Sequence, residues 1–560
     1  MTAPQPGIPF TLASRADQIS PVLTPAQLAR VEPHGTVRKT EAGEQLSRPG
    51  IRTSAFFVVV RGRVEVFRHS DDAGDQLIAS FGPGQFNGEV GILSGLPGFT
   101  GVRVVEPGAV IEVDRERVLG IIQTDGELSQ LLMRAFILRR VEMVRQGVGD
   151  VVVVGSRHSA GTLRVREFLT RNGHPYVSID LERDKGAQEL LDRFQVTEAD
   201  IPVVVCRGEL VLRNPTNQQI ADCLGYNDAI DRTKLRDVVI VGAGPAGLAA
   251  AVYAASEGLD VLVIEAMAPG GQAGSSSRIE NYLGFPSGIS GGELAARAHT
   301  QAQKFGAEVL IARQVVELDC DTVPYRIKID DGQRLGARAL VIASGAEYRK
   351  LSIPDLARYE GNGVYYAASF IESQLCNDEE VIVVGGGNSA GQAAVFLAQT
   401  ARKVYVLVRS SGLAASMSRY LIRRIEEHPA IELRTCTEVV GLAGEGRLEQ
   451  VTLRDNNTGA LDQRPIRHVF SMTGAVPKTA WLNACVALDD IGFIKTGADL
   501  TRDDLTAARW SLRRRPHPLE TSLPGVFAVG DVRSGSVKRV ASAVGEGSVS
   551  IASVHQVLAE

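Results

Sequence analysis

The chain has 560 residues, too many for one hydrophobic core, so three or more domains are expected. Apolar residues make up 44% and charged residues 22%, the balance of a soluble globular protein, and a net charge of −5 gives no footing for a nucleic-acid partner. No run approaches the roughly 18 apolar residues of a membrane span, and the N-terminus lacks a basic-then-apolar secretory pattern, which points to the cytoplasm.

Pro4, Pro6, Gly7 and Pro9 mark residues 1–25 as a disordered tail. Over residues 26–148, short apolar runs alternate with Gly and Pro. Ala55–Val60 leads through an expected turn at Arg61-Gly-Arg63 into Val64–Phe67; Gln76–Ser80 and Ala109–Val113 follow. That rhythm predicts a small β-barrel or jelly roll, closed by one helix over Leu119–Val144. Phe86-Asn-Gly-Glu-Val-Gly-Ile-Leu93 with Leu96-Pro97 resembles the phosphate-binding cassette of cyclic-nucleotide-binding domains. The resemblance implies a ribose contact for Glu89. Gly98 stands where the family has its phosphate-binding Arg, and Arg103 is the candidate substitute. A cyclic nucleotide and a purely structural or dimerisation role both stay open for this domain.

Residues 149–226 change character. Val151–Val154 and Tyr176–Ile179 read as strands, Leu163–Leu169 and Ala187–Phe194 as helices, and Ile201-Pro202-Val-Val-Val205 as a further strand. This β-α-β-α-β order resembles a thioredoxin-like unit of the glutaredoxin kind, in which Pro202 takes the cis form. Where that family carries Cys-x-x-Cys, this chain has Ser159-Ala-Gly-Thr162, so a redox-inactive adaptor is expected. None of the six cysteines forms a C-x-x-C, and free thiols in a reducing compartment are expected. Polar residues 227–234 read as a linker.

Residues 235–358 and 475–560 read as two parts of one dinucleotide-binding domain, interrupted by a second over 359–474. Val238-Val-Ile-Val-Gly242-Ala-Gly244-Pro245-Ala246-Gly247 follows a strand pattern and opens an Ala-rich helix. Gly242 makes the tight turn, Gly244 lets backbone approach a diphosphate, and Gly247 packs helix on strand. Glu265, ending the next strand, is placed to hold ribose hydroxyls. The second fingerprint is Val381-Ile-Val-Val-Gly385-Gly-Gly387-Asn388-Ser389-Ala390, and Arg409 ends its following strand. An acid there would grip a 2′-hydroxyl, whereas Arg tolerates a 2′-phosphate, so NADPH is favoured over NADH. Ser410 and Ser411 add no charge; Arg419 and Arg423 are candidate helpers.

Gly270-Gly271-Gln272, Glu280-Asn281-Tyr-Leu-Gly284, Ala343-Ser-Gly345-Ala346, Val526-Phe-Ala-Val-Gly-Asp531 and Gly545-Glu-Gly547 resemble the FAD motifs of low-molecular-weight thioredoxin reductases, in the same order. The resemblance implies FAD with Gly271, Gln272, Asn281, Ala343 and Gly345 beside it, Asp531 on a ribityl hydroxyl, and a helix starting at Arg539-Val540 aimed at the flavin. It also implies a homodimer. In those reductases a Cys-x-x-Cys precedes the second fingerprint; the matching Val364-Tyr-Tyr-Ala-Ala-Ser-Phe370 has none, and Cys376 is read as structural.

Three functions follow. The leading one is an FAD enzyme that oxidises NAD(P)H and passes electrons straight to an external acceptor, a redox protein or a small molecule. The others are a non-catalytic flavin or nucleotide sensor, and thioredoxin-disulfide reduction through non-local cysteines such as Cys206 and Cys223. No catalytic side chain and no metal ligand is assigned; His158 and His555 are read as loop and tail positions, and Arg513-Arg-Arg515 with Trp510 as a solvated loop or a docking patch.

Overall fold

The computed structural model describes residues 16–49, 55–68, 75–88, 92, 100–146, 151–156, 159–182, 200–206, 210–368 and 370–560. Glu89, Gly98, His158 and the expected 187–194 helix lie outside them.

The first unit is a sheet of β1 (Thr36–Thr40), β2 (Gln45–Ser47), β3 (Ala55–Arg68), β4 (Gln76–Phe81) and β5 (Gly101–Asp114), ordered β1-β5-β3-β4 with β2 on β5. All described pairings are antiparallel, and the described strands form an open sheet rather than the expected closed barrel. The expected turn at Arg61-Gly-Arg63 is instead a set of bulges inside one 14-residue strand. Gly62 takes φ 89° there, absorbing the extra residue without breaking the ladder. The single expected helix is two, Arg115–Thr124 and Gly126–Gln146. Asp125 breaks it, its carboxylate accepting the Glu127 and Leu128 amides and so starting a new helix. Phe56, Phe86 and Phe136 pack with ring centroids 5.5–6.2 Å apart at the centre of this core. The tail is shorter than 1–25: Ala16–Ile19 is helical and Leu23 is buried.

The middle unit has β6 (Val151–Gly155), β7 (Tyr176–Asp180), β8 (Val203–Cys206) and β9 (Leu210–Arg213) in the order β7-β6-β8-β9, with helices Ala160–Arg171 and Asn217–Cys223. β6 and β7 are parallel, β8 runs against β6, and the Ile201–Pro202 peptide is cis. Ser159 caps the 160–171 helix by accepting the Thr162 amide. This unit is not hung on a linker. Val165, Phe168, Ile220 and Leu224 share one continuous core with Val238, Ala251 and Ala254 of the next domain. Asn227, expected in a linker, is 4% exposed because its amide both donates to and accepts from Ile311 backbone.

The larger module begins with β10 (Leu235–Val241), β11 (Val261–Glu265), β12 (Glu308–Ile311), β13 (Val315–Asp319), β14 (Tyr325–Ile329) and β15 (Arg334–Ile342). Their order is β12-β11-β10-β15-β14-β13; β10, β11, β12 and β15 run parallel, and β13 and β14 form an antiparallel meander on β15. β16 (Ala346–Tyr348) leaves this domain for a second parallel sheet of β17 (Val364–Tyr365), β18 (Glu380–Val384), β19 (Lys403–Leu407) and β20 (Ile431–Arg434). A three-stranded sheet of β21 (Thr437–Ala443), β22 (Gln450–Asp455) and β23 (Leu461–Arg464) follows, before β24 (His468–Ser471) inserts between β17 and β18. The chain returns through β25 (Ala475–Pro477), antiparallel to β16, and adds β26 (Val526–Ala528) beside β15. A short two-stranded ribbon thus carries both crossings between the two domains. No described helix is long and apolar enough to cross a membrane.

Candidate flavin and nicotinamide sites

The first fingerprint is a strand-turn-helix from β10 into the Pro245–Ser256 helix. Gly242 sits at φ 104°, and a Cβ there would strike the Ala343 carbonyl. A Cβ on Gly247 would strike the Gly242 carbonyl, so both glycines are demanded by packing. Gly244 differs: a Cβ there would be tolerated, its nearest neighbour the Gly271 Cα at 3.9 Å. Pro245 starts the helix, where its missing N–H is harmless.

Gly244 caps that helix with no side-chain acceptor, and Gly387 and Arg539 likewise cap the 388–397 and 540–559 helices without one. Elsewhere Thr24, Ser159, Thr216 and Ser290 cap their own helices. Free amides at the N-termini of the two fingerprint helices suit dinucleotide phosphates. A glycine-walled cradle on an uncapped helix fits an FAD diphosphate.

Glu265 is 9% exposed, and its carboxylate accepts the Ala243 amide at 2.7 Å and the Met267 amide at 2.9 Å. It therefore shapes the phosphate loop as well as standing at the expected ribose position. Gln272 donates to the Ala346 carbonyl at 2.7 Å, bracing the loop against the start of β16. The Ala343 amide bonds the Val241 carbonyl at 2.8 Å; Gly345, at φ 68°, accepts the Lys478 amide. Asn281 is exposed on the turn between the paired Ile279 and Ile289.

Asp531 follows β26, and its carboxyl has no hydrogen-bond donor among the described residues. Burial pushes its pKa up, Glu546 adds to the shift, and Lys538 opposes it. A raised carboxyl favours the protonated fold, so its stabilisation is present at low pH and is lost as pH rises through the folded pKa. Asp531→Asn is accordingly expected to raise the melting temperature of FAD-free protein at neutral pH while weakening FAD retention, read by thermal melts and by flavin released on dilution. Glu546 explains the Gly545-Glu-Gly547 motif: its carboxylate holds the Gly530 amide and Arg533, each at 2.7 Å. A Cβ on Gly547 would strike the Ala246 carbonyl, which lets the 540–559 helix lie on the fingerprint helix.

The second fingerprint repeats the plan. Gly385 is at φ 143° under the Met472 carbonyl, Gly387 has open space, and Ala390 is fully buried. The Asn388 side-chain Oδ1 accepts the Ser418 amide at 2.8 Å, and Ser416 Oγ donates to the Gly386 carbonyl at 2.7 Å, closing the 409–418 loop over the turn. Arg409 and Arg419 are exposed and have no acidic partner among the described residues, whereas Arg423 is paired with Glu427 at 2.7 Å.

Sequence reasoning missed several residues. Tyr348, on the ribbon between domains, lies near Ser389 and Asp531; burial pushes its phenol up, Ser389 opposes that shift and Asp531 adds to it. It lies only two residues beyond the Ala343–Ala346 motif. Lys538 donates to the Asp531 carbonyl at 2.6 Å and rests 4.4 Å from the Phe493 ring. Glu280 pairs with Arg424 at 2.7 Å, tying the flavin domain to the inserted one.

Other expectations are corrected. Four cysteines are not free: Cys206 meets Cys223, 17 residues on, and Cys320 meets Cys485, 165 residues on, each at bonding distance. Cys376 is buried and its thiol donates to the Glu372 carbonyl; burial pushes its pKa up, which leaves it inert. Arg514 is no docking cation, since it bonds the fully buried Glu520 at 2.6 Å and Glu560 at 2.7 Å and stacks on Trp510. Arg103 is already held by Glu65 at 3.1 Å and Asp75 at 2.9 Å. His555 pairs with Glu257 at 2.8 Å along a helix surface.

Comparison with known proteins agrees with this geometry. Residues 37–125 match the cyclic nucleotide-binding domain, and residues 236–547 match the pyridine nucleotide-disulphide oxidoreductase family. The thioredoxin reductase of Streptomyces clavuligerus is 33% identical over 314 residues, 56% of this chain and 91% of that protein. That of Bacillus subtilis is 32% identical over 330 residues, 58% of this chain and 96% of that protein. The solved thioredoxin reductase of T. acidophilum superposes with a TM-score of 0.52 at 28% identity, over 58% of this chain and 99% of its own. With two glycine-walled helix starts joined by one ribbon, the chain belongs to the pyridine nucleotide-disulphide oxidoreductase family, as a thioredoxin-reductase-like enzyme with a cyclic nucleotide-binding domain ahead of it.

Proposed function

We propose that the protein oxidises NAD(P)H on FAD and hands the electrons directly to an external acceptor, a redox protein or a small oxidised molecule. The observation that carries this reading is the β16–β25 ribbon, which joins the two fingerprint domains directly, while residues 364–370 ahead of the second fingerprint hold no cysteine. Bound FAD supplies the two-electron chemistry, hydride in from reduced nicotinamide and electrons out. The protein's residues bind and orient. The open face of Gly244 and the amides after it receive the diphosphate. Asp531, left without a protein donor, accepts a ribityl hydroxyl. The 540–559 helix would offer the positive end of its dipole to a bound flavin, favouring negative charge on it. Open Gly387 takes the nicotinamide dinucleotide's diphosphate, and unpaired Arg409, with Arg419 near it, favours a 2′-phosphate and hence NADPH over NADH. We place the enzyme in the cytoplasm as a homodimer.

The middle unit is proposed as thioredoxin-like and redox-inactive. Its parallel β6–β7 pair and its antiparallel β8–β9 hairpin support this, as does Ser159 serving as a helix cap. Arg103, already engaged by two carboxylates, favours a structural role for the first unit over cyclic-nucleotide binding.

One observation favours a second reading, disulfide reduction through a non-local pair: Cys206 and Cys223 are within bonding distance. Against it, Cys206 is 1% exposed inside the shared core.

Anaerobic titration of the purified protein with NADPH and then NADH decides. Two-electron bleaching of the flavin, at lower concentration of NADPH than of NADH, is expected. Protein that takes up no FAD, or whose FAD neither cofactor bleaches, would overturn the proposal.

A further inference from the structure

The family's cradle for the FAD diphosphate contains no cation: the loop reads Gly242-Ala-Gly-Pro-Ala-Gly247, and its partner Gly270-Gly271 adds none. A diphosphate brings negative charge into a partly buried site, where a guanidinium is the best-matched counter-charge. One such group reaches this loop from outside the module. The 160–171 helix of the middle unit ends on the loop, and Arg171 Nη2 donates to the Gly271 carbonyl at 2.7 Å. Gly271, at φ 53°, is the residue that faces open Gly244, with 3.9 Å between the Gly271 Cα and the position of a Gly244 Cβ. The same guanidinium lies 3.7 Å from where a Gly274 Cβ would stand.

Arg171 is not a loose surface residue. Its side chain is 15% exposed, Nη1 reaches Glu167 at 3.3 Å, and Nε is buried without a partner. Next to it, the Asn172 amide donates to the Phe168 carbonyl at 2.8 Å and to the Met267 carbonyl at 3.3 Å, pinning the helix end to the loop after β11. The shared core beneath fixes the helix relative to the fingerprint.

We infer that Arg171 is a positioning residue for FAD contributed by the middle unit: it locks the Gly271 side of the cradle and sets a positive charge at the diphosphate's edge. The inference rests on the FAD reading above. It assigns the middle unit a task that needs no cysteine.

The test is titration of FAD-free full-length protein with FAD at several salt concentrations, followed by flavin fluorescence, for wild type, Arg171→Ala, Arg171→Gln and Arg171→Lys. The Ala and Gln variants are expected to raise the FAD dissociation constant about tenfold or more, the effect of losing one charge-assisted contact. The salt dependence of binding is expected to flatten. Gln ends two bonds short of Nη2 and loses both the charge and the Gly271 contact, so Arg171→Lys, which keeps a charged donor of nearly the same reach, is the control: if Ala lowers the melting temperature of the FAD-free protein, recovery of FAD affinity and salt dependence by Lys decides. An Arg171→Gln protein with wild-type FAD affinity would overturn the inference, and so would weaker binding whose salt dependence is unchanged. Wild-type protein that binds no FAD would overturn the functional reading as well; FAD bound equally by wild type and the Ala and Gln variants would overturn this inference alone.

Discussion

Replacing Gly244 with valine is expected to give a colourless protein that is still folded. The position has extended backbone (φ −72°, ψ −176°), which valine adopts freely, and a Cβ there meets nothing closer than the Gly271 Cα at 3.9 Å. That is where the diphosphate must approach the helix amides. Losing two charge-assisted hydrogen bonds alone amounts to roughly 4 kcal/mol, about a thousandfold in affinity, before any steric clash is counted. Gly247→Val is the contrasting case. Its Cβ would drive into the Gly242 carbonyl, so the fold itself should suffer, by about 3 kcal/mol or more. Flavin absorbance per chain together with thermal melts separates the two. A yellow Gly244→Val protein with wild-type FAD affinity would mean that the cradle lies elsewhere.

Replacing all six cysteines should leave NADPH-driven reduction of a dye acceptor nearly unchanged while markedly lowering stability. The first half follows from the proposed direct exit of electrons from the flavin. The second follows from Cys320–Cys485, which joins the end of β13 to the segment before β26 across 165 residues that include the whole inserted domain. Closing a loop of that length is worth about 5 kcal/mol on the chain-entropy account, against about 3 kcal/mol for the 17-residue Cys206–Cys223 loop. Reduced wild type should melt like Cys320→Ser/Cys485→Ser in the transition that releases flavin. A folded, flavin-loaded cysteine-free protein that no longer reduces the dye would sink direct transfer and restore a dithiol relay.

What was legible in the sequence was what is local. Gly242, Gly244 and Gly247 announce their roles because a positive φ, an open face and a close helix-strand contact each exclude side chains within a stretch of six residues. Arg409 was placed by the end of one strand, and Asp531 by the run of β26. Local signals also misled. Arg61-Gly-Arg63 has the composition of a turn, yet β5 pairs past it on both sides, and tertiary pairing turns it into bulges. Apolar periodicity runs through Asp125, whose capping carboxylate breaks the helix nonetheless. Contacts across long separations left no trace. Nothing in the spacing of Cys320 and Cys485 announces a pair, and Arg514 reads as part of a basic run until buried Glu520 is seen accepting from it.

The single core that runs from β6 and β8 into β10 has a bearing on ancestry. Modules joined by flexible tethers are traded freely between genes, because neither partner notices the other's departure. Here the 151–226 segment and the dinucleotide fold have grown a common interior, so excising one strips the other of its packing. Cutting the chain between them would lay Val165, Phe168, Ile220 and Leu224 bare on one piece and Val238, Ala251 and Ala254 on the other, so neither piece is expected to stay soluble alone.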